Sequence, residues 1–468
     1  MYSAPQQSVS CAKATQYGPE SLPLVVVTVV IFSLLVPAPL VSSAAFRPPV
    51  KFGGRYSISS AQVKQIGKFL RKHVWDILEN VLSSPAGGEK KGENTLDTKA
   101  ADTAGVYIFN LSVGTSVQTI SGILDISSEL VWTQCVPCET CLTPPATSFQ
   151  PNASNTFYQL PCTNQTCQDA ISQTCPAEPT SCGYLMQYSN YTNTTGYLAT
   201  DTFTFGQAQV PDVVFGCSDT SFGDYYGASG VLGFSRGNLS LVSQLQLSWF
   251  SYLLASDGSQ NNNLLQFGGD AVPQTANGHR TPLLSNSVYP DLYFVKLTGI
   301  MVDGRQLNGI PAGTFDIQPD GSGGVFLSTT VPVTYLEQAA YNVVKQAFVN
   351  GIASEAVNGS ALGLDLCYTL QPGKDEMTVP KLTLVFDGTD AAMELKKHNY
   401  FFADNTTNLE CLTILPSRGG SLLGSLLQTD TNMTYDLSSG QLIFETAASA
   451  PPPHLKVSLM MAVQLVAC

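Results

Sequence analysis

The sequence predicts a mostly-β body divided into two lobes, and three observations carry that reading. From Val106 onward, short alternating stretches such as Tyr107-Ile108-Phe109-Asn110-Leu111-Ser112-Val113 are punctuated by Gly, Asn, Ser and Pro at the spacing of strands and turns. The body so marked, residues 105–446, is too long for a single sandwich. A faint internal echo also runs through it. Gly122-Ile123-Leu124-Asp125-Ile126-Ser127-Ser128 resembles Gly324-Val325-Phe326-Leu327-Ser328-Thr329-Thr330, each an apolar strand running into a hydroxyl-rich turn.

Further strands are expected at 120–125, 130–134, 197–205, 210–216, 264–268, 293–302, 324–328, 382–386 and 441–445. Helices are few. The clearest spans 337–350, where Ala340, Val343, Val344 and Ala347 share one face.

Ahead of this body lie two segments of different texture. Residues 22–36 form an apolar run, too short for a membrane span, that is broken by Pro37 and Pro39 and followed by Ser42, Ser43, Ala44 and Ala45. This is the pattern of a cleaved signal peptide over 1–45. Residues 59–82 read as an amphipathic helix, with Val63, Ile66, Leu70, Val74, Ile77 and Val81 at three- and four-residue steps. A Pro/Gly/charge-rich linker follows it over 84–104.

Charge divides along the same line. Residues 47–100 carry 10 Lys/Arg against 5 Asp/Glu, whereas residues 101–468 carry 11 against 29. A basic segment preceding an acidic body reads as a prosegment over 46–104. The overall charge of −13 argues against a nucleic-acid partner, which would require a basic face. With 44% hydrophobic residues and 12% charged, the chain is not intrinsically disordered.

Ten of the twelve cysteines fall in the body: Cys135, Cys138, Cys141, Cys162, Cys167, Cys175, Cys182, Cys217, Cys367 and Cys411. The C-x2-C-x2-C spacing of the first three admits metal ligation. A secretory route and the scarcity of His (His73, His279, His398, His454) favour disulfides instead, so no metal and no cofactor are expected. The eight cysteines within 135–217 leave their pairing open among 105 connectivities. Sequons at Asn110, Asn152, Asn164, Asn190, Asn193, Asn238, Asn358, Asn405 and Asn432 fit the same route.

Two turns are candidates for chemistry. Gly233-Phe234-Ser235-Arg236-Gly237 matches G-x-S-x-G, with His279 and His398 downstream. A serine hydrolase would need alternating strands and long helices around it, and their lack makes this a glycine-rich turn. The other candidate is the Asp125 turn, which taken alone reads equally well as a structural Asx-turn.

The run Leu124-Asp125-Ile126-Ser127-Ser128-Glu129-Leu130-Val131-Trp132-Thr133-Gln134-Cys135 closely resembles the first active-site segment of pepsin-like aspartic peptidases, nearest their plant nepenthesin-like group. The likeness covers roughly 105–446 and includes the cysteine-rich insert 135–182, Phe215-Gly216-Cys217, Gly230-Val231-Leu232-Gly233 and Tyr435-Asp436-Leu437. It implies a bilobal pepsin-like fold with lobes 105–285 and 286–446 and a cleft between them. It also implies two carboxylates sharing one proton to activate water.

Asp125 matches the first of these carboxylates. In the second segment, Gly323-Gly324-Val325-Phe326-Leu327-Ser328-Thr329-Thr330-Val331-Pro332-Val333-Thr334-Tyr335-Leu336, the flanks hold register but Ser328 stands where the family has the second aspartate. Thr330 stands for a glycine, and Ile126 and Ser127 stand for Thr and Gly. Tyr188 matches the tyrosine of the substrate-covering flap, whose usual Gly-Asp-Gly is Ser189-Asn190-Tyr191.

The resemblance therefore implies a secreted, extracellular or vacuolar monomer with lost or strongly reduced endopeptidase activity, still able to hold a peptide or protein in the cleft. An active acid endopeptidase and a non-enzymatic inhibitor of cell-wall glycosidases are the other readings. The likeness further implies a Cys367–Cys411 bridge. It also implies loss of a bridge at Phe250-Ser251-Tyr252-Leu253, leaving Cys468 unpaired or removed. A tail over 447–468 has a weak likeness to a lipid-anchor signal, and a disordered tail is the preferred reading.

Overall fold

The computed structural model describes residues 106–446, except 143–146, 171–172, 176–180, 189–191, 206–207, 257–262, 272–277, 361 and 371–376. The expected signal segment, the expected basic helix with its linker, and the tail lie outside the described residues.

The first nine strands are β1 (Ile108–Val113), β2 (Gln118–Asp125), β3 (Trp132–Gln134), β4 (Tyr158–Gln159), β5 (Gln173–Thr174), β6 (Gly183–Gln187), β7 (Asn193–Phe205), β8 (Ala208–Phe222) and β9 (Gly230–Gly233). They build one sheet in the order β1-β2-β9-β3-β8-β7-β6-β5, with β4 on β7.

Next come β10 (Trp249–Leu253), β11 (Leu264–Phe267), β12 (His279–Leu284), β13 (Phe294–Val295), β14 (Leu297–Val302), β15 (Arg305–Gln306), β16 (Val325–Leu327) and β17 (Thr334–Glu337). The last are β18 (Cys367–Thr369), β19 (Leu382–Phe386), β20 (Ala392–Glu394), β21 (Phe401–Asp404), β22 (Leu409–Leu412), β23 (Ile414–Ser417), β24 (Ser421–Leu423), β25 (Thr431–Asp436) and β26 (Gln441–Thr446). A ten-stranded sheet runs β11-β10-β25-β26-β12-β13-β16-β24-β17-β23, and smaller sheets of four and three strands flank it.

The fold is mostly β, bilobal and pepsin-like. The division at residue 285 falls within the large sheet, because β10 and β12 pair with the late strands β25 and β26. The expected helix is present as Gln338–Gly351 and buries Ala340, Tyr341, Val344 and Phe348.

The internal echo has a structural counterpart. In the first half β2 runs parallel to β9, β3 runs parallel to β8, and β3 is antiparallel to β9. In the second half β16 runs parallel to β24, β17 runs parallel to β23, and β17 is antiparallel to β24. Each half thus joins two parallel pairs through one antiparallel contact, and this needs close backbone approach. A Cβ on Gly233 would lie 2.5 Å from the Glu129 carbonyl oxygen, and one on Gly424 would lie 2.5 Å from that of Pro332. Only glycine fits either position. One apolar core continues beneath both halves, joining Leu124, Ile126, Leu232 and Phe234 to Tyr293, Leu327 and Leu423.

Five disulfides join the ten body cysteines: Cys135–Cys217, Cys138–Cys141, Cys162–Cys175, Cys167–Cys182 and Cys367–Cys411. The C-x2-C-x2-C sulfurs are thus bonded to sulfur, Cys138 to Cys141 and Cys135 to Cys217.

Three carboxylates pin late turns. Burial alone would raise each pKa, yet all three lie below the ordinary aspartate value. Hydrogen bonds from Thr406 and Thr407 lower that of Asp404, Ser256 and the charges of His398 and Lys396 lower that of Asp430, and Ser438 and Ser439 lower that of Asp436. A depressed folded pKa stabilises the fold above the unfolded value, and that contribution is lost as pH falls through the folded pKa. The thermal midpoint is therefore expected to drop below about pH 4. Asp436→Asn should flatten that drop in a series of melts from neutral to acid pH, and an unchanged slope would contradict the assignment.

Candidate active site

β2 delivers Asp125 to the end of its strand, fully buried. Its turn is closed locally, since the Ser127 N–H donates to Asp125 Oδ1 at 2.8 Å and the Phe234 N–H donates to the Asp125 carbonyl at 2.8 Å. The short hydroxyl residues after the acid permit this Asx-turn. The Ser127 and Ser128 hydroxyls are buried and make no hydrogen bond within the protein.

β16 delivers Ser328 in the equivalent way. Its Oγ accepts from the Thr330 and Val331 N–H groups at 3.3 and 3.2 Å and lies 3.3 Å from Thr330 Oγ1. Its backbone N–H donates to Leu423 O at 3.1 Å. The serine hydroxyl therefore does for the second turn what a carboxylate oxygen does for the first.

Thr329 joins the two turns. Its Oγ1 donates to Leu124 O at 2.7 Å and accepts from the Ile126 N–H at 3.3 Å, bracketing Asp125 on both sides. Ile126 has no hydroxyl to return the bond and is instead fully buried in the shared core. The tie between the turns is one-sided.

Sequence reading assigned no role to Gln428, which holds the second turn. Its Nε2 donates to the carbonyls of Ser328, Leu423 and Gly424 at 2.9, 3.1 and 3.2 Å. Its Oε1 accepts from Tyr252 OH at 2.6 Å. The available signal was a lone amide within the run Leu422–Thr429, otherwise apolar, Gly and hydroxyl residues.

Tyr188 directly follows β6, at the turn end of the β6–β7 hairpin, and is buried. Its hydroxyl accepts from Trp132 Nε1 at 2.7 Å. Tyr225, also without a role in the sequence reading, packs edge-on against both rings and donates from its hydroxyl to Asn193 O at 3.2 Å. Tyr188→Phe strands the buried Trp132 N–H. A loss of about 1–2 kcal/mol in denaturant titration is expected, and a loss near zero would show that the bond does little.

Ser235 is fully buried, and its Oγ accepts from the Gly237 N–H at 3.1 Å. His279 bonds the Asp390 carbonyl, and His398 pairs with Asp430 at 3.0 Å. Neither histidine is bonded to Ser235, and the motif is a turn.

Comparison with known proteins gives concordant likenesses. Family models described as xylanase inhibitor N-terminal and xylanase inhibitor C-terminal match residues 107–269 and 292–446. The aspartic proteinase nepenthesin-2 of Nepenthes gracilis is 38% identical over 72% of this chain and 76% of its own length. Nepenthesin-1 of the same plant is 34% identical over 79% and 82%. Among solved structures, edgp aligns with a TM-score of 0.56 at 20% identity over 75% of this chain and 93% of that one. Basic 7S globulin from soybean aligns at 0.54 and 19% over 74% and 93%.

Proposed function

Because this chain belongs to the nepenthesin-like family of pepsin-type plant aspartic proteases, we propose that it is a member with lost or strongly reduced endopeptidase activity. The observation that carries the proposal is Ser328 at the end of β16, in the place equivalent to Asp125 at the end of β2. Peptide hydrolysis in this family chemistry needs one carboxylate to take a proton from water while the other donates to the scissile carbonyl. Ser328 can hydrogen-bond water, but it cannot serve as the acid of a proton-sharing pair. Loss of one acid–base participant costs about 10²–10⁴-fold.

The flap, the strand edges and the buried hydroxyls beside Asp125 are still suited to holding an extended peptide or a protein segment in the interlobe cleft. A second reading, a non-enzymatic inhibitor of a cell-wall glycosidase, draws on the xylanase-inhibitor description of both matching family models. Five disulfides and the sequons support an extracellular or vacuolar destination. No helix among the described residues is long and apolar enough to cross a membrane.

One pair of assays separates the readings. Acid-pH peptide cleavage blocked by a pepstatin-type inhibitor would identify an active enzyme. Silence in that assay, with inhibition of a xylanase or related glycosidase, would identify the inhibitor.

A further inference from the structure

We propose that the Cys138–Cys141 bridge is a thiol–disulfide exchange site whose redox state sets how firmly the turn end of the β6–β7 hairpin is held. Its sulfurs are reachable in the folded protein, since Cys141 is exposed and Cys138 half-buried. By contrast, the cysteines of Cys135–Cys217, Cys167–Cys182 and Cys367–Cys411 are all at most 2% exposed. Exposure governs access of an attacking thiolate. The bridge spans a sequence separation of only 3, against 82 for Cys135–Cys217. Opening so short a loop releases little chain entropy, so the fold survives it. Cys162–Cys175 also reaches the surface, but its Cys175 sulfur lies 3.6 Å from that of Cys167. Thiols released there have a neighbouring bridge to attack.

The loop is also placed to pass on its state. The Glu139 and Thr140 N–H groups donate to Asp219 O at 2.7 and 3.3 Å, and the Ser221 N–H donates to Thr140 O at 3.0 Å. Thr140 thereby bridges Thr220 in parallel fashion. On its other side Thr220 faces Thr195, and Ser221 faces Thr194, in β7. β7 in turn pairs with β6, which ends at Gln187 beside Tyr188. The loop acts as a short outer strand that steadies the end of β8, and β8 steadies the hairpin.

The reductant is a dithiol of the thioredoxin class. Its thiolate attacks Cys141 Sγ, the Cys138–Cys141 bond breaks, and Cys138 leaves as a thiolate that takes up a proton. The second thiol of the reductant, as thiolate, then attacks the reductant's own sulfur in the mixed disulfide. Cys141 is released and protonated, and the reductant becomes a disulfide. Two electrons and two protons have moved to the bridge.

Graded dithiothreitol on the full chain, followed by acid quench, alkylation and peptide mass spectrometry, tests the first half of the proposal. Cys138 and Cys141 should be alkylated at a reductant concentration at least tenfold below that needed for the three buried bridges. Opening only together with those bridges would overturn the exchange site. Hydrogen exchange tests the second half, in the selectively reduced protein and in Cys138→Ser/Cys141→Ser. The Ser221 amide should exchange at least tenfold faster while amides of β2 and β9 are unchanged. An unchanged Ser221 amide in the reduced wild type would overturn the coupling to the hairpin. Neither readout depends on hydrolysis, so the proposal stands or falls apart from the lost-activity reading.

Discussion

No measurable endopeptidase turnover is expected from the wild-type protein between about pH 2 and pH 7, and Ser328→Asp alone is expected to restore little. A carboxylate at 328 would inherit the two backbone donors now used by the serine, from Thr330 and Val331. It would meet Asp125 across turns that remain altered. Ile126 leaves the tie through Thr329 one-sided, and Thr330 and Ser127 carry side chains where the family has glycine. A displacement of about 1 Å between reacting groups can cost roughly 10²-fold. The combined variant Ser328→Asp, Thr330→Gly, Ile126→Thr, Ser127→Gly should therefore exceed Ser328→Asp by at least about tenfold, measured as kcat/KM on an acid-protease peptide. Robust pepstatin-sensitive cleavage by the wild type, abolished in Asp125→Ala, would show that one aspartate suffices.

Gln428→Leu should cost about 3 kcal/mol of stability. Leucine preserves most of the volume but none of the hydrogen bonds. The carbonyls of Ser328 and Gly424 each lose the Gln428 donor in a fully buried site. Leu423 O keeps the Ser328 N–H. Tyr252 OH loses its acceptor at Oε1 but keeps the Tyr435 hydroxyl at 3.0 Å. Two buried unsatisfied groups at about 1–3 kcal/mol each make the estimate. Tyr252→Phe removes the bonds to Gln428 Oε1 and the Tyr435 hydroxyl but leaves the three carbonyls held, and should cost about 2 kcal/mol. Denaturant midpoints at fixed pH give both values. If Gln428→Leu unfolds within half a kilocalorie of wild type, the amide is not the post that holds the Ser328 turn.

How far the molecule could be read from its sequence differs from feature to feature. The strand expected at 382–386 is β19 residue for residue, and the one at 120–125 is β2 with two more residues at its start. Alternation and punctuation suffice where a strand lies against one core. The hairpin strands β7 and β8 outrun the expected 197–205 and 210–216. Their outer ends, 193–196 and 217–222, are rich in Asn, Thr, Ser and Gly. They owe their strand form to pairing with each other and to buried hydroxyl bonds among Thr194, Ser218 and Ser221, which leave no apolar alternation to read.

The places of Asp125 and Ser328 in the chain could be read because their flanks keep register with a known pattern. The pairing of the eight clustered cysteines could not, because it depends on which segments the fold brings together. Gln428 escaped for a similar reason. Its role lies in three carbonyls, one of them 100 residues away in sequence, and no local spacing encodes that.

The strand order of the large sheet sets a schedule for biosynthesis. β25 and β26, residues 431–446, lie between β10 and β12, strands made some 150 residues earlier. The nine-stranded sheet closes on contacts within 108–233 and can be complete while the ribosome is still translating the second half. Meanwhile β10 and β12 must wait with an edge unpaired, and such edges recruit other chains. A nascent chain stalled before residue 431 therefore combines a finished first lobe with an open, adhesive seam. The short final hairpin seals that seam.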